Sequence, residues 1–244
     1  MLDFELLLVL GALAFYLQDS AALLYADELI VERVGRGWRM RPGTGMLICG
    51  RRPFVPNPLA PHRPLIRVTV DQVLDDVELG VDAKGVGIGR APFYRALVPV
   101  QVCAAVLLLL FFPGLPWTLH TWGTGPGLLG WLALVYLVIA LMGLNVFRQR
   151  RALGLTTHQC AGLMVQGVFC APLAINIVRK VSQVANPLAP CGFITALQAD
   201  ERQDLTRVVV GRLDDMLNHC AGETREFERL SRQRERLLAE GAGK

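Results

Sequence analysis

Gly127-Leu-Leu-Gly-Trp-Leu-Ala-Leu-Val-Tyr-Leu-Val-Ile-Ala-Leu-Met-Gly-Leu-Asn-Val-Phe147, stopped by Arg148-Gln-Arg-Arg151, is the stretch that decides the fold. It holds no charged side chain and is long enough for the roughly 20 residues a helix needs to cross a bilayer. Long blocks nearly free of charge are the signature of helices whose surroundings are lipid.

Working outward, Ala96–Phe112 forms a second apolar block that ends at Pro113-Gly114, and Phe4–Leu24 a first, interrupted by Gln18, Asp19 and Ser20. Phe4–Leu17 alone is short for a span, so the helix is expected to continue, with Asp19 at the interface or against other protein. The opening Met1-Leu-Asp-Phe-Glu carries acid where a secretory signal carries base. A retained anchor is therefore expected rather than a cleaved leader. Composition agrees: 52% of residues are hydrophobic, 19% are charged and mean hydropathy is +0.39. The fold class expected is a mainly α membrane protein with three or four transmembrane helices, a small β-containing cytoplasmic insert and a C-terminal amphipathic or coiled-coil helix.

Charge placement gives the expected orientation. Tyr25–Arg95 carries eleven Lys and Arg, and Arg148, Arg150 and Arg151 follow the third block, whereas Pro113–Gly127 has only His120 as a titratable group. The positive-inside rule puts the first two in the cytoplasm and the Trp117- and Trp122-bearing connection outside, with the N-terminus. The Arg-rich pattern is compatible with a bacterial inner membrane. A net charge of only +4, with basic residues set beside apolar blocks, argues against a nucleic-acid partner and for the lipid bilayer.

Five segments follow: a first transmembrane helix over 1–24, a cytoplasmic insert over 25–95, a transmembrane hairpin over 96–147, a polar-apolar segment with a linker over 148–198, and a charged helical tail over 199–244. In the insert, Leu29–Val34, Gly45–Cys49 and Leu65–Val70 read as short strands between Gly and Pro breaks. Val70, Val73, Leu74 and Val77 then take helical spacing. Asn57-Pro-Leu-Ala-Pro61 recurs as Asn186-Pro-Leu-Ala-Pro190. Without matching flanks these are two rigid turns rather than a duplication.

Thr156–Val178 is uncharged but contains His158, Gln159, Gln166 and Asn176, with Pro172 in its second half. It reads either as a fourth span packed inside a bundle or as a re-entrant segment. The returning path is preferred because it leaves the charged tail on the Arg-rich side. These four residues form the candidate polar membrane site.

In the tail, Val209, Leu213, Met216, Cys220, Phe227, Leu230 and Leu237 follow steps of four and three, a seam interrupted by Glu223 and Arg234. The seam fits a coiled coil with a second copy or a partner. It equally fits an amphipathic helix folded back on the insert.

Catalytic signals are weak. The six cysteines contain no CxxC pair, and His62, His120, His158 and His219 lack metal-ligand spacing. Asp215 and His219 share a helix face, which supplies too few ligands for a metal. Asp71, Asp75, Glu78 and Asp82 read as a solvated face. Lys84-Gly-Val-Gly-Ile-Gly-Arg90 lacks the strand and helix context of a phosphate loop and reads as a flexible joint. No cofactor is expected. A non-catalytic membrane subunit or scaffold, a homo-oligomer or a member of a larger membrane complex, is the leading expectation. The alternative is an oligomeric channel lined by Gln159, Gln166 and Asn176, and a membrane enzyme using His158 and Cys160 ranks third.

Overall fold

The computed structural model describes residues 4–35, 37–41, 43–44, 46, 48–73, 87–185, 197, 199–219 and 224–242. The chain divides into two units that alternate along the sequence. The first takes Met1–Ala21, Val55–Pro64 and Gly89–Pro187; the second takes Ala22–Phe54, Leu65–Ile88 and Leu188–Lys244. The expected insert is thus divided, because Val55–Pro64 belongs with the helices and the C-terminal tail belongs with the strands.

The first unit is helical. It contains α1 (Phe4–Ser20), α2 (Gly87–Leu109), α3 (Leu115–Trp122), α4 (Leu128–Arg148), α5 (Thr157–Phe169), the short α6 (Ala171–Ala174) and α7 (Ile177–Ala185). The expected break at Pro113-Gly114 is not a break. Leu110–Gly114 is a widened π turn that carries the helix through Pro113 into α3. A wider turn gives the proline ring room, and Trp131 Nε1 donates to the Leu110 carbonyl oxygen at 2.8 Å where the helix is distorted. A second wide turn, Gly123–Gly127, joins α3 to α4. Gly127 is needed there, since a Cβ would lie 3.0 Å from Trp122 Cβ and 3.1 Å from the Thr118 carbonyl oxygen.

Two helical stretches, Pro92–Trp122 and Gly125–Arg148, are long and apolar enough to cross a membrane. Only 33% of the most apolar window of each is buried. Their inner faces pack Leu97, Val100, Ala104, Leu107, Val135, Ile139 and Met142 into one core with Tyr16, Ile175 and Val178. Their outer faces leave Val102, Leu109, Leu129, Leu137 and Leu144 more than half exposed. Among the described residues, the earliest apolar helix is shorter. It ends at Ser20 rather than running to Leu24, because Ala22–Leu24 is a strand.

Thr156–Val178 is not one helix. Thr156 caps α5 through a reciprocal pair of bonds with Gln159, and the helix stops at Cys170, whose φ of −140° and ψ of 89° are not helical. Pro172 lacks an N–H to extend α5 and instead sits in the first turn of α6, where none is needed.

The second unit is built on a three-stranded antiparallel sheet in the order β3 (Gly37–Arg41), β2 (Glu28–Val34), β5 (Leu65–Thr69), beside a ribbon of β1 (Ala22–Leu24) and β4 (Arg52–Phe54). Val31 stands opposite Met40 on one side and Ile66 on the other. Because strand side chains alternate, Leu29, Val31, Ile66 and Val68 face one layer while Ile30 and Leu65 face Leu24 and Phe54 in another. β2 is therefore covered on both faces. β3 was not expected from the sequence. It forms because Gly35, at a φ of +63°, turns the chain back on itself and puts Trp38 and Met40 on the core side. Of the expected strand Gly45–Cys49, Gly45 and Leu47 lie outside the described residues, and its end is a tight turn, with Ile48 bridged to Arg51 and Cys49 at a φ of +51°.

The tail packs on this sheet as α8 (Ala199–His219) and α9 (Thr224–Ala242). Leu205, Val209, Leu213, Leu230 and Leu237 join Leu29, Val31 and Val68 in the core. Arg212, 1% exposed, donates from Nη2 to the Glu28 carbonyl oxygen at 3.1 Å. Arg52 Nη2 bonds Asp215 Oδ2 at 2.6 Å, and Glu201 Oε1 accepts from the Trp38 N–H at 2.6 Å. Glu201 thereby occupies an edge-strand donor that would otherwise be open to another strand.

Candidate functional site

Within the helical unit the polar side chains converge at the end of α1. A helix leaves its last carbonyls without intrahelical partners. Asn176, 1% exposed, supplies one: its Nδ2 donates to the Tyr16 carbonyl oxygen at 3.1 Å and lies 3.1 Å from Asp19 Oδ2. Ser20 Oγ donates to the same Tyr16 carbonyl at 2.6 Å. Lys180 Nζ meets Asp19 Oδ1 at 2.7 Å, a cation placed where the α1 dipole favours one.

Arg179, 3% exposed, ties this end to the first NPLAP copy. Its Nη1 donates to Asn176 Oδ1 at 2.9 Å, and its Nη2 donates to the carbonyl oxygens of Asn57 at 2.7 Å and Ala60 at 3.3 Å. Tyr16 Oη donates to the Pro58 carbonyl at 2.6 Å, and Gln101 Nε2 donates to that of His62 at 2.9 Å. The prolines explain why carbonyls face the helices. Pro58 and Pro61 have no N–H, so Asn57-Pro-Leu-Ala-Pro61 cannot pair as a strand and offers acceptors instead. Asn57 Oδ1 accepts from the Leu59 N–H at 3.0 Å and fixes the turn. The second copy, Asn186–Pro190, lies outside the described residues.

The candidate polar membrane residues are not brought to one place. His158 is exposed in the first turn of α5, and Gln159 completes the cap with Thr156. Gln166 accepts from Lys180 Nζ at 3.1 Å, and Asn176 is buried in the cluster. Asp19, Tyr16 and Arg179 complete the cluster; no sequence spacing joins its two halves, since Tyr16 and Asn176 are 160 residues apart.

Of the tail seam, Val209, Leu213, Leu230 and Leu237 are buried against the sheet, Met216 is partly buried there and Phe227 is 45% exposed. Cys220 lies outside the described residues, in the interval between α8 and α9. Asp71 pairs with Arg229 at 2.8 Å, while Asp75, Glu78 and Asp82 lie outside the described residues, as do Leu74, Val77 and Lys84–Val86. From Gly87 the Gly-rich stretch is already helical, as the start of α2, and not a loose joint. No group of three metal-ligating side chains occurs among the described residues. Cys49, Cys103, Cys160 and Cys170 are free thiols.

The arrangement can position backbone and neutralise charge. Among the described residues the cluster contains one carboxylate, Asp19, paired with Lys180. No family model, curated protein or solved structure matches this chain.

Proposed function

We propose that the chain is an integral membrane protein, without catalytic activity, that anchors its α/β unit at the cytoplasmic face as a subunit or scaffold. What supports this most is the exposure of Pro92–Trp122 and Gly125–Arg148: a core helix of a soluble protein is mostly buried, and two thirds of each of these windows is not. In water that surface would drive aggregation; in hydrocarbon it is the expected exterior.

α1 is a candidate third span. Its 17 residues reach about 25 Å at 1.5 Å each, a little under the hydrocarbon thickness. The turn at Cys170 favours a re-entrant path for α5 to α7, since α5 has only 13 residues, about 20 Å. Trp117 and Trp122, exposed with ring centroids 5.8 Å apart, suit the outer interface. The side chains gathered at the end of α1, Ser20, Asn176 and Arg179, bond each other and backbone carbonyls, which favours a structural role over turnover.

The test is topology. Cys49 is exposed, and in a chain otherwise free of cysteine it should react with an impermeant thiol reagent only after the cytoplasmic side is opened. A Thr121→Cys probe should react in intact cells. Labelling of both from one side, or a chain that stays dissolved and monodisperse without detergent, would overturn the reading.

A further inference from the structure

Between Lys84 and Ala199 the sequence contains no Asp or Glu. The cations of that interval therefore have no acidic neighbour in sequence, and three of them stand together, Arg148 as the last residue of α4 and Arg150 and Arg151 on the short connection from α4 to α5. That connection is ordered. The Leu155 N–H bonds the Arg150 carbonyl oxygen at 2.8 Å, Leu153 is 1% exposed and Leu155 6%, and Gly154 takes a φ of +67° that a side chain would resist. The Arg150 guanidinium lies 4.4 Å from the Phe147 ring centroid, which holds it at the mouth of the hairpin. No carboxylate pairs with any of the three among the described residues.

Below these charges, Leu137, Leu141, Leu144 and Arg148 follow steps of four, three and four, so they share one face of α4. The three leucines are 56%, 47% and 63% exposed. An apolar ladder capped by cations matches a molecule with hydrocarbon chains below a negative headgroup. On the membrane reading above, we propose that this hairpin is a binding site for anionic phospholipid: acyl chain along the leucines, phosphate among Arg148, Arg150 and Arg151. The free phosphate ion shares the headgroup chemistry but has nothing to lay against the leucines. Guanidinium groups fit phosphate oxygens in pairs and stay charged at any working pH.

The experiment uses the full chain in detergent, offered equal phosphatidylglycerol and phosphatidylcholine, with retained lipid counted by native mass spectrometry. Wild type should retain the anionic lipid about ten-fold over the neutral one, in line with the attraction of several basic residues to anionic surfaces. A triple Arg→Gln variant at 148, 150 and 151 should fall to parity, a triple Arg→Lys variant should keep most of the preference, and Arg207→Ala in α8 should change nothing. If the Gln variant fails to insert, the wild-type preference must still collapse at about 1 M salt. An unchanged ratio in the Gln variant, salt-independent retention, or equal competition by inorganic phosphate would overturn the site. A chain that is extracted only by detergent yet shows no lipid preference sinks this proposal alone; one that needs no detergent sinks the membrane reading as well.

Discussion

Arg179 Nη2 donates to the carbonyl oxygen of Asn57 at 2.7 Å, across 122 residues of sequence. The same guanidinium reaches Ala60 and Asn176. Replacing it by Met keeps the stem but removes its bonds to two backbone carbonyls, each of which keeps one turn N–H, from Ala60 to Asn57 and from Arg63 to Ala60. A hydrogen bond to a charged group contributes about 1.5–3 kcal/mol, so a total loss of about 3 kcal/mol is expected. Lys should recover little, because one ammonium cannot reproduce the fork. Thermal melting in detergent reads the loss, and protease cutting within 55–64 should rise with it. A variant that melts like wild type and resists cleavage would show that the clasp does not hold the loop.

Leu213, fully buried against the sheet, separates two uses of the tail. Leu213→Ala should destabilise the α/β unit by about 2–5 kcal/mol without changing the molar mass of the native protein. Phe227→Ala, at a position 45% exposed, should cost less than about 1 kcal/mol. If Leu213→Ala instead dissociated a larger assembly while leaving the unit's melting point alone, the seam would belong between chains.

The apolar helices were legible because a candidate span needs only length and the absence of charge, and Gly127–Phe147 states both in one uninterrupted run. Their ends were not. Pro113 reads locally as a stop, yet a widened turn and the Trp131 side chain, bonded to Leu110 21 residues before it, carry the helix past it. In the tail the seam was visible, but period alone cannot say what a helix packs on. That depended on β3, whose Trp38 and Met40 alternate with Arg39 and Arg41 and so look polar to a windowed reading. The polar cluster was the least legible part. Tyr16, Asn57 and Arg179 meet only because three distant segments converge, and in the sequence each looks like an isolated polar residue beside an apolar block.

Thr156 tests the break that turns the chain back at α5. Its side chain accepts from the Gln159 N–H at 3.2 Å while Gln159 Oε1 accepts from the Thr156 N–H at 2.9 Å. Thr156→Ala should cost about 1 kcal/mol, and Thr156→Ser much less. Hydrogen exchange should localise the effect, with faster exchange at residues 157–160 and little change in α4. Uniform destabilisation of the whole helical unit would mean that α5 does not fray on its own.

His62 gives the pH test, since it lies on the clasped loop outside the apolar spans. Burial, with the charges of Arg63 and Arg179 adding to it, lowers its pKa below the ordinary 6.5. The unfolded chain then binds a proton more readily than the folded one, so stability rises with pH through this window. The contribution is full above about pH 6.5 and declines as pH falls through the lower folded value. Most of the imidazole meets solvent, so screening keeps the effect small, but its sign is fixed. Comparing melting in detergent at roughly pH 7.5 and 5.5, His62→Gln should lose less stability on acidification than wild type. Equal losses would mean that the imidazole titrates alike in both states, and that Arg179 is not felt at the loop it clasps.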